Sequence, residues 1–377
     1  METKTPPAAA PTRQTETPGR SRISLVRTTP ETVLDDYAKA MNMAGYRETI
    51  SSEIPTALKV NISWHHWYPA CSSAPWQIDG VLETLSDDGF AKSRIYAAHN
   101  RTVVVSARQG ERSNRHIGVV EKHGIENVHL YEDTDWVIYR PKAKMLVLDD
   151  VFPEGIRIPK RLISSNVIHL PTVKTHVFTT ITGAMKNAFG GLLFERRHYC
   201  HGVIHETLVD LLAIQQEIHP GIFAVVDGAF SGSGPGPRCM KVSERDLVVA
   251  GADQVAVDAV CARLMGFDPM EIPFLRIAHE RGLGCADLNE IDVAGEDLEQ
   301  TAWNVEHPSE TFASRGQKLI YWGPLRPLEK LLLRTVLAPW SYLASRLYHD
   351  VYWYNVHGRR RAKAALDTKW GRLFLTY

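Results

Sequence analysis

The chain has 377 residues, 44% of them hydrophobic and 23% charged, with 26 Gly and 21 Pro, a composition that excludes disordered, collagen-like and coiled-coil classes and leaves a globular protein. Lys plus Arg equals Asp plus Glu at 43 each, so the global positive field that a nucleic-acid binder carries is absent. The balance is not uniform, because residues 311–377 hold 12 Lys/Arg against 3 Asp/Glu and residues 1–310 hold 31 against 40.

Residues 1–20 are rich in Pro, Thr and Ala without apolar periodicity and read as a disordered leader. Residues 21–310 read as one α/β domain. Short apolar runs alternate there with helical patterns: ISLV from Ile23, a helical stretch from Pro30 to Tyr46, ALKVNIS from Ala57, a helix over Gln77–Ser86, and SRIYAA from Ser93. Further strands are expected at MLVLDDV from Met145, NVIHLPTV from Asn166, IFAVVDG from Ile222 and DLVVAG from Asp246, with helices near Leu208–Glu217, Gln254–Met265 and Pro273–Arg281. The rhythm predicts an open, mostly parallel sheet with helices on both faces, whose strands end in the turns where such sheets place ligands.

Residues 311–377 break the rhythm and read as a basic, aromatic, helical extension. Leu331, Leu332, Val336, Leu337, Trp340, Leu343, Leu347 and Val351 recur at roughly helical spacing with Lys and Arg between them, and Pro339 would kink such a helix. Such a segment packs on its own domain, on a second copy of the chain, or in a membrane interface. No stretch approaches ~20 uninterrupted apolar residues and the N-terminus lacks the apolar run of a signal peptide, so the expected location is cytoplasmic, with peripheral membrane contact as the alternative. The five cysteines, Cys71, Cys200, Cys239, Cys261 and Cys285, are scattered and fit reduced thiols; without a Cys-x-x-Cys pair, an iron–sulfur cluster is not expected.

The densest run of titratable groups lies between Asn166 and Leu212. A strand delivers Lys174 and His176, and the weakly charged run TTITGAMKNAFGG follows with Lys186 and Asn187 in it. A lysine among Ala, Met, Phe and Gly is one that burial pushes toward neutrality unless an anion pairs with it. His198, His201 and His205 come next, and the four-residue step from His201 to His205 places both on one helix face, suited to a shared metal or to flanking a substrate. A second constellation is VVDGAFSGSGPGPRCM, in which a strand is expected to end at Asp227 and a loop containing Gly232 and Gly234 to cradle a phosphate or carboxylate. Asp253 reads as a helix cap, with Asp258 in the same helix. In the third, Lys59 and Asn61 lie two apart on a strand and share a face, and Trp64, His65 and His66 are expected exposed at its end.

These segments resemble the family catalogued as domain of unknown function number 362 over most of residues 55–295. Its lysine-and-asparagine strand corresponds to Lys59 and Asn61. Its P-x-x-K-x-H, T-G-x-x-K-N-x-x-G and His-helix elements correspond to PTVKTH, TGAMKNAFGG and HETLVDL, and its later elements to VVDG, GSGPGP and AGADQVAVD. Many members carry ferredoxin-like cysteine motifs that this chain lacks, so the resemblance does not extend to electron transfer. The order of a histidine, a lysine ten residues on and a downstream histidine is also similar to the nickel-pincer lactate racemases. That resemblance implies His176 as proton shuttle, Lys186 as cofactor anchor and His201 as nickel ligand.

From the residues themselves, the leading expectation is an enzyme acting on a small anionic molecule by proton transfer next to a carbonyl or carboxylate. His176 is the expected base and Lys174 and Lys186 the stabilisers. Lys59, Asn61, Asn187, Asp227, Gly232 and Gly234 are the expected substrate contacts, and His176, Lys186 and Asp227 are required to line one pocket. Two other classes stay open. One is a maturation or carrier protein without its own reaction, binding a transition metal through His198, His201 and His205 with Asp227; the other is a membrane-peripheral enzyme on a lipid-like substrate.

Overall fold

The computed structural model describes residues 20–377 apart from 103, 306–309 and 335–338. Except for Arg20, the expected leader lies outside the described residues, as do Val336 and Leu337 of the C-terminal pattern. Twelve strands are described: β1 (Ser21–Arg27), β2 (Thr56–Val60), β3 (Ile95–His99), β4 (Glu126–His129), β5 (Trp136–Tyr139), β6 (Ile156–Pro159), β7 (Asn166–Leu170), β8 (Thr172–His176), β9 (Thr180–Ile181), β10 (Ile222–Ser233), β11 (Lys241–Gly251) and β12 (Ile291–Gly295). The main sheet runs β12-β1-β11-β10-β7-β2-β3-β4, with β8 on β10 and β9 on β8. Every pairing from β10 through β7, β2 and β3 to β4 is parallel, as the alternating rhythm predicts. The long β10–β11 hairpin and the β1–β11 pair are antiparallel, which makes the sheet mixed.

Alternation along the strands feeds two cores, one on each face. Ala57, Val167, Ala224 and Val226 join a cluster that includes the helices Gly183–Leu192, Ile204–Ile218 and Gln254–Leu264. Leu58, Ile168 and Val225 join the opposite cluster with the helices Val33–Met43 and Pro75–Asp87. Strands apolar on both faces are what two helical layers require.

Three expectations change. MLVLDDV is a turn and a short helix, Leu148–Val151, because the Asp210 carboxylate accepts the backbone N–H groups of Leu146, Val147 and Leu148 and holds them out of any ladder. NVIHLPTV is two strands with Pro171 between them. The strand expected to end at Asp227 continues to Ser233 as β10, so Gly232 lies within a strand, opposite Val242.

The C-terminal extension is helical and returns to the domain. Trp353, Ala362, Ala365, Trp370 and Phe374 join the second core. Trp370 packs 5.2 Å from Trp76, ring to ring, and its Nε1–H donates to Asp246 at 2.7 Å. Among the described residues no helix is long and apolar enough to cross a membrane.

Candidate active site

A cavity of about 800 Å³ lies at the carboxyl ends of the parallel strands. Asn61 follows β2, Asn100 follows β3 and His176 closes β8, and all three line it. So do Lys186 and Asn187 from the Gly183–Leu192 helix and His198 and His201 from the following 3₁₀ segment. The C-terminal extension supplies the opposite wall, with Gln317, Tyr321, Tyr342, Arg346 and His349.

Two of the lining histidines, His176 and His201, hold opposite tautomers. The Nδ1 of His176 accepts the backbone N–H of Phe178 at 3.2 Å, so neutral His176 carries its proton on Nε2 and is a donor there. The Nδ1 of His201 meets the carbonyl of His198 at 3.0 Å and must donate to it, which leaves the Nε2 of His201 a bare lone pair. Burial first, then the nearby Lys186 and His201, drives the His176 pKa well below the ordinary imidazole value. Burial likewise lowers His201 to about 4. Both rings are therefore neutral near pH 7. His176, the base expected from sequence, lines the cavity with its acceptor nitrogen engaged by the Phe178 N–H.

Lys186 stands between these rings and an aromatic floor, with Nζ 5.6 Å from the centre of the Phe189 ring. Phe189 in turn packs edge-on to His201 at 5.6 Å. No carboxylate within ion-pair reach holds Lys186 among the described residues, and burial, helped by Lys174 and Arg197, lowers its pKa to about 7. Asn187, behind it, donates to the Lys59 carbonyl at 2.8 Å. Thr182 is 6% exposed, lines the cavity, and its hydroxyl has no partner.

The wall is cationic. Among the described residues, Arg101, Arg108, Lys186, Arg197, Arg238 and Arg346 line the cavity against a single carboxylate, Glu132, and Arg108 takes that carboxylate at 2.6 Å. Arg101 lies over the Tyr131 ring at 5.1 Å, and the Nη1 of Arg238 is buried without a hydrogen-bond partner. Sequence reading missed these arginines. The signal available for Arg101 and Arg238 was position, just after the end of β3 and just after GSGPGP.

Several expected residues are elsewhere. Lys174 is 1% exposed and spends its ammonium on the Cys71 carbonyl at 2.9 Å and the Thr172 hydroxyl at 2.8 Å. Burial lowers its pKa to about 8, but it does not line the cavity. Lys59 lies beneath the floor, donating to the Val60 carbonyl at 2.6 Å and to Asn100 at 3.0 Å. Asp227 faces the other side of the sheet, where Tyr37 and Trp76 both donate to it at 2.8 Å; burial raises it to about 6. The requirement that His176, Lys186 and Asp227 line one pocket fails, because only the first two line the cavity, and the leading expectation fails with it in the form that includes Asp227. Gly232 and Gly234 are not among the residues that line the cavity: a Cβ at Gly232 would lie 2.4 Å from the Met240 sulfur, and the Gly234 carbonyl accepts the Thr175 hydroxyl at 2.8 Å.

His198, His201 and His205 do not converge into a ligand set. His205 stacks on Phe274 at 6.0 Å and does not line the cavity. Among the described residues, the groups of three side chains close enough to share an ion are His65, His66 and Asp350, and Asp79, Glu83 and His123. Trp64, expected exposed, is fully buried and donates to Asp350 at 2.7 Å. Asp253 is the helix cap it was expected to be, accepting the N–H groups of Val255 and Ala256.

Residues 56–263, more than half of the chain, match the model of the family described as "Domain of unknown function (DUF362)". The chain belongs to that family. It is also similar to the thylakoid-associated protein sll1697 of Synechocystis sp., with 25% identity over 170 residues, 44% of this chain and 52% of that protein. The chain thus spans about half the length of the curated relative it matches.

Proposed function

We propose that this member of the family of unknown function is an enzyme that binds a small anionic molecule in the cavity and moves a proton next to its carbonyl or carboxylate group. The observation that carries the reading is the joint placement of an amine without a carboxylate partner, Lys186, and two neutral imidazoles of opposite tautomer, His176 and His201, in one cationic cavity. Lys186, with a pKa of about 7, has the basicity that best serves proton abstraction at neutral pH. The Nε2–H of His176 donates to the oxygen on which charge develops, and neutral imidazole suffices for that role. The Nε2 of His201 is a second acceptor for the departing proton. Arg101, Arg197, Arg238 and Arg346 supply the positive potential that holds the anionic tail.

The test is solvent exchange. Protein is incubated in deuterium oxide with small 2-hydroxy and 2-keto carboxylates, and loss of the proton next to the carboxylate or carbonyl is followed by NMR. The reading expects exchange for at least one acid that binds, abolished in Lys186→Met; acids that bind without exchange would overturn it.

A second reading, a metal-bearing cofactor in the cavity, draws on one observation: the free Nε2 lone pair of His201 beside Lys186, as the nickel-pincer resemblance requires. Elemental analysis by plasma mass spectrometry on protein purified without a histidine tag tests it, since roughly one transition metal per chain that is lost in His201→Ala would favour it. The name of the thylakoid-associated relative supports a peripheral membrane location for this chain.

A further inference from the structure

The two helical stretches that wall the cavity have inverted polarity. In Phe312–Tyr321, Ser314, Gln317 and Tyr321 line the cavity, while Phe312 is 84% exposed and Leu319 lies on the same outward stripe. In Pro339–Arg346 and the helical residues that follow, Tyr342, Ser345, Arg346 and His349 line the cavity. Trp340, Leu343, Leu347 and Val351, spaced at 3, 4 and 4, fall on the opposite side, and Leu343 and Val351 are each 60% exposed. A cap over a polar cavity in water is expected to turn its charged side outward; this one turns Leu, Trp and Phe outward. Leu325, Leu328 and Leu331 between the helices are exposed as well. An apolar area of this extent on a single chain marks a binding face.

We infer that this outward face, formed by described residues within 312–334 and 339–356, seats the protein on an anionic bilayer. Charge selects the bilayer over a second copy of the chain. The same residues contain six Lys/Arg against two Asp/Glu. Arg346 faces the cavity and Arg315 and Lys318 share the Glu310 carboxylate, which leaves three cations, while of the two acids Asp350 is turned inward to the Trp64 indole. Apolar and aromatic side chains that enter an interface, interleaved with cations that remain at the headgroups, make an interfacial helix pair. On the bilayer the cavity sits directly above the docked helices. The inference rests on the outward face alone and not on the chemistry of the cavity.

The experiment uses the full chain and flotation with two kinds of vesicle, phosphatidylcholine with phosphatidylserine and phosphatidylcholine alone. The variant carries Leu343→Gln, Leu347→Gln and Val351→Gln, three exposed positions whose change leaves the core intact. The chain is expected to float with the anionic vesicles, less so as salt rises, and the triple variant to lose binding on the order of a hundredfold. Trp340 fluorescence should shift to the blue on the same vesicles. Failure of the wild-type chain to float with either vesicle overturns the inference. So does light scattering that finds a dimer which the triple variant dissociates and which does not float. Solvent exchange on a soluble carboxylate is read separately, so either proposal can fail alone.

Discussion

Asp258 closes the first turn of the helix that carries Lys186. Its carboxylate accepts the backbone N–H groups of Ala184 at 2.5 Å and Met185 at 3.0 Å, and it is fully buried, which raises its pKa to about 7. Gly183, just ahead, has φ +67°, and a Cβ there would lie 2.3 Å from the carboxylate oxygen. Two motifs far apart in sequence thus make one joint, which sets the height of Lys186 in the cavity. Gly183→Ala is expected to cost about 1–3 kcal/mol through its backbone torsion and the clash. Urea unfolding measures it, and an unchanged midpoint would mean the joint is loose.

Lys174 and Lys186 are both lysines of the family motif, the first fully buried and the second partly exposed to the cavity, and the structure gives them different work. Lys174→Met should lower stability by about 1–3 kcal/mol, because the Cys71 carbonyl and Thr172 hydroxyl lose their donor. Its malonate affinity, read by calorimetry, should stay at the wild-type level. Lys186→Met should fold as well as the wild type and, below the Lys186 pKa of about 7, bind malonate at least roughly tenfold more weakly. Equal loss of malonate binding in both variants would contradict the assignment.

Acid should unfold the protein early. Burial lowers His116, His201 and His219 to about 4 and His99 and His169 to about 3, against an ordinary value of 6.5. As pH falls from about 6.5 towards 4, the unfolded chain binds protons on these histidines that the folded chain refuses, so stability drops. Asp227 and Asp258, raised to about 6 and about 7, act in the opposite sense over part of that range, but the lowered histidines, to which His349 at about 3 also belongs, outnumber them. Urea midpoints measured from pH 7 to 5 should decline, with net proton uptake on unfolding; a flat profile is the contrary result.

Trp370 ties the end of the C-terminal extension to the domain, fully buried against Trp76 and bonded to Asp246. Trp370→Ala should cost about 3–5 kcal/mol in global stability. A variant as stable as the wild type would show that the extension folds apart from the sheet.

The sheet was legible because strands buried on both faces read as apolar runs between helical patterns. The position of the site was legible too, in the polar residues after the strands, of which Asn61 and His176 line the cavity. Side-chain direction was not. Lys174 and His176 alternate onto one face, but the segment after β2 crosses over Lys174, and Cys71, about a hundred residues away, takes its ammonium. Asp227 lies on the face opposite the Lys186 helix, among Tyr37 and Trp76, because one residue of strand separates it from Val226. The histidine roles depend on two backbone groups, the Phe178 N–H and the His198 carbonyl, that no side-chain pattern reveals. The arginine wall is drawn from four separate stretches of chain, and only the fold brings it together.

The central claim is that Lys186 is an amine that titrates near neutrality in an open, anion-seeking cavity. Reductive methylation across a pH series, with each lysine followed by mass spectrometry, tests it without a known substrate. Lys186 should become reactive as pH rises through about 7, well before exposed lysines, and malonate should shift that onset upward. Reactivity that begins only near the ordinary lysine value, or no protection by malonate, would contradict the account.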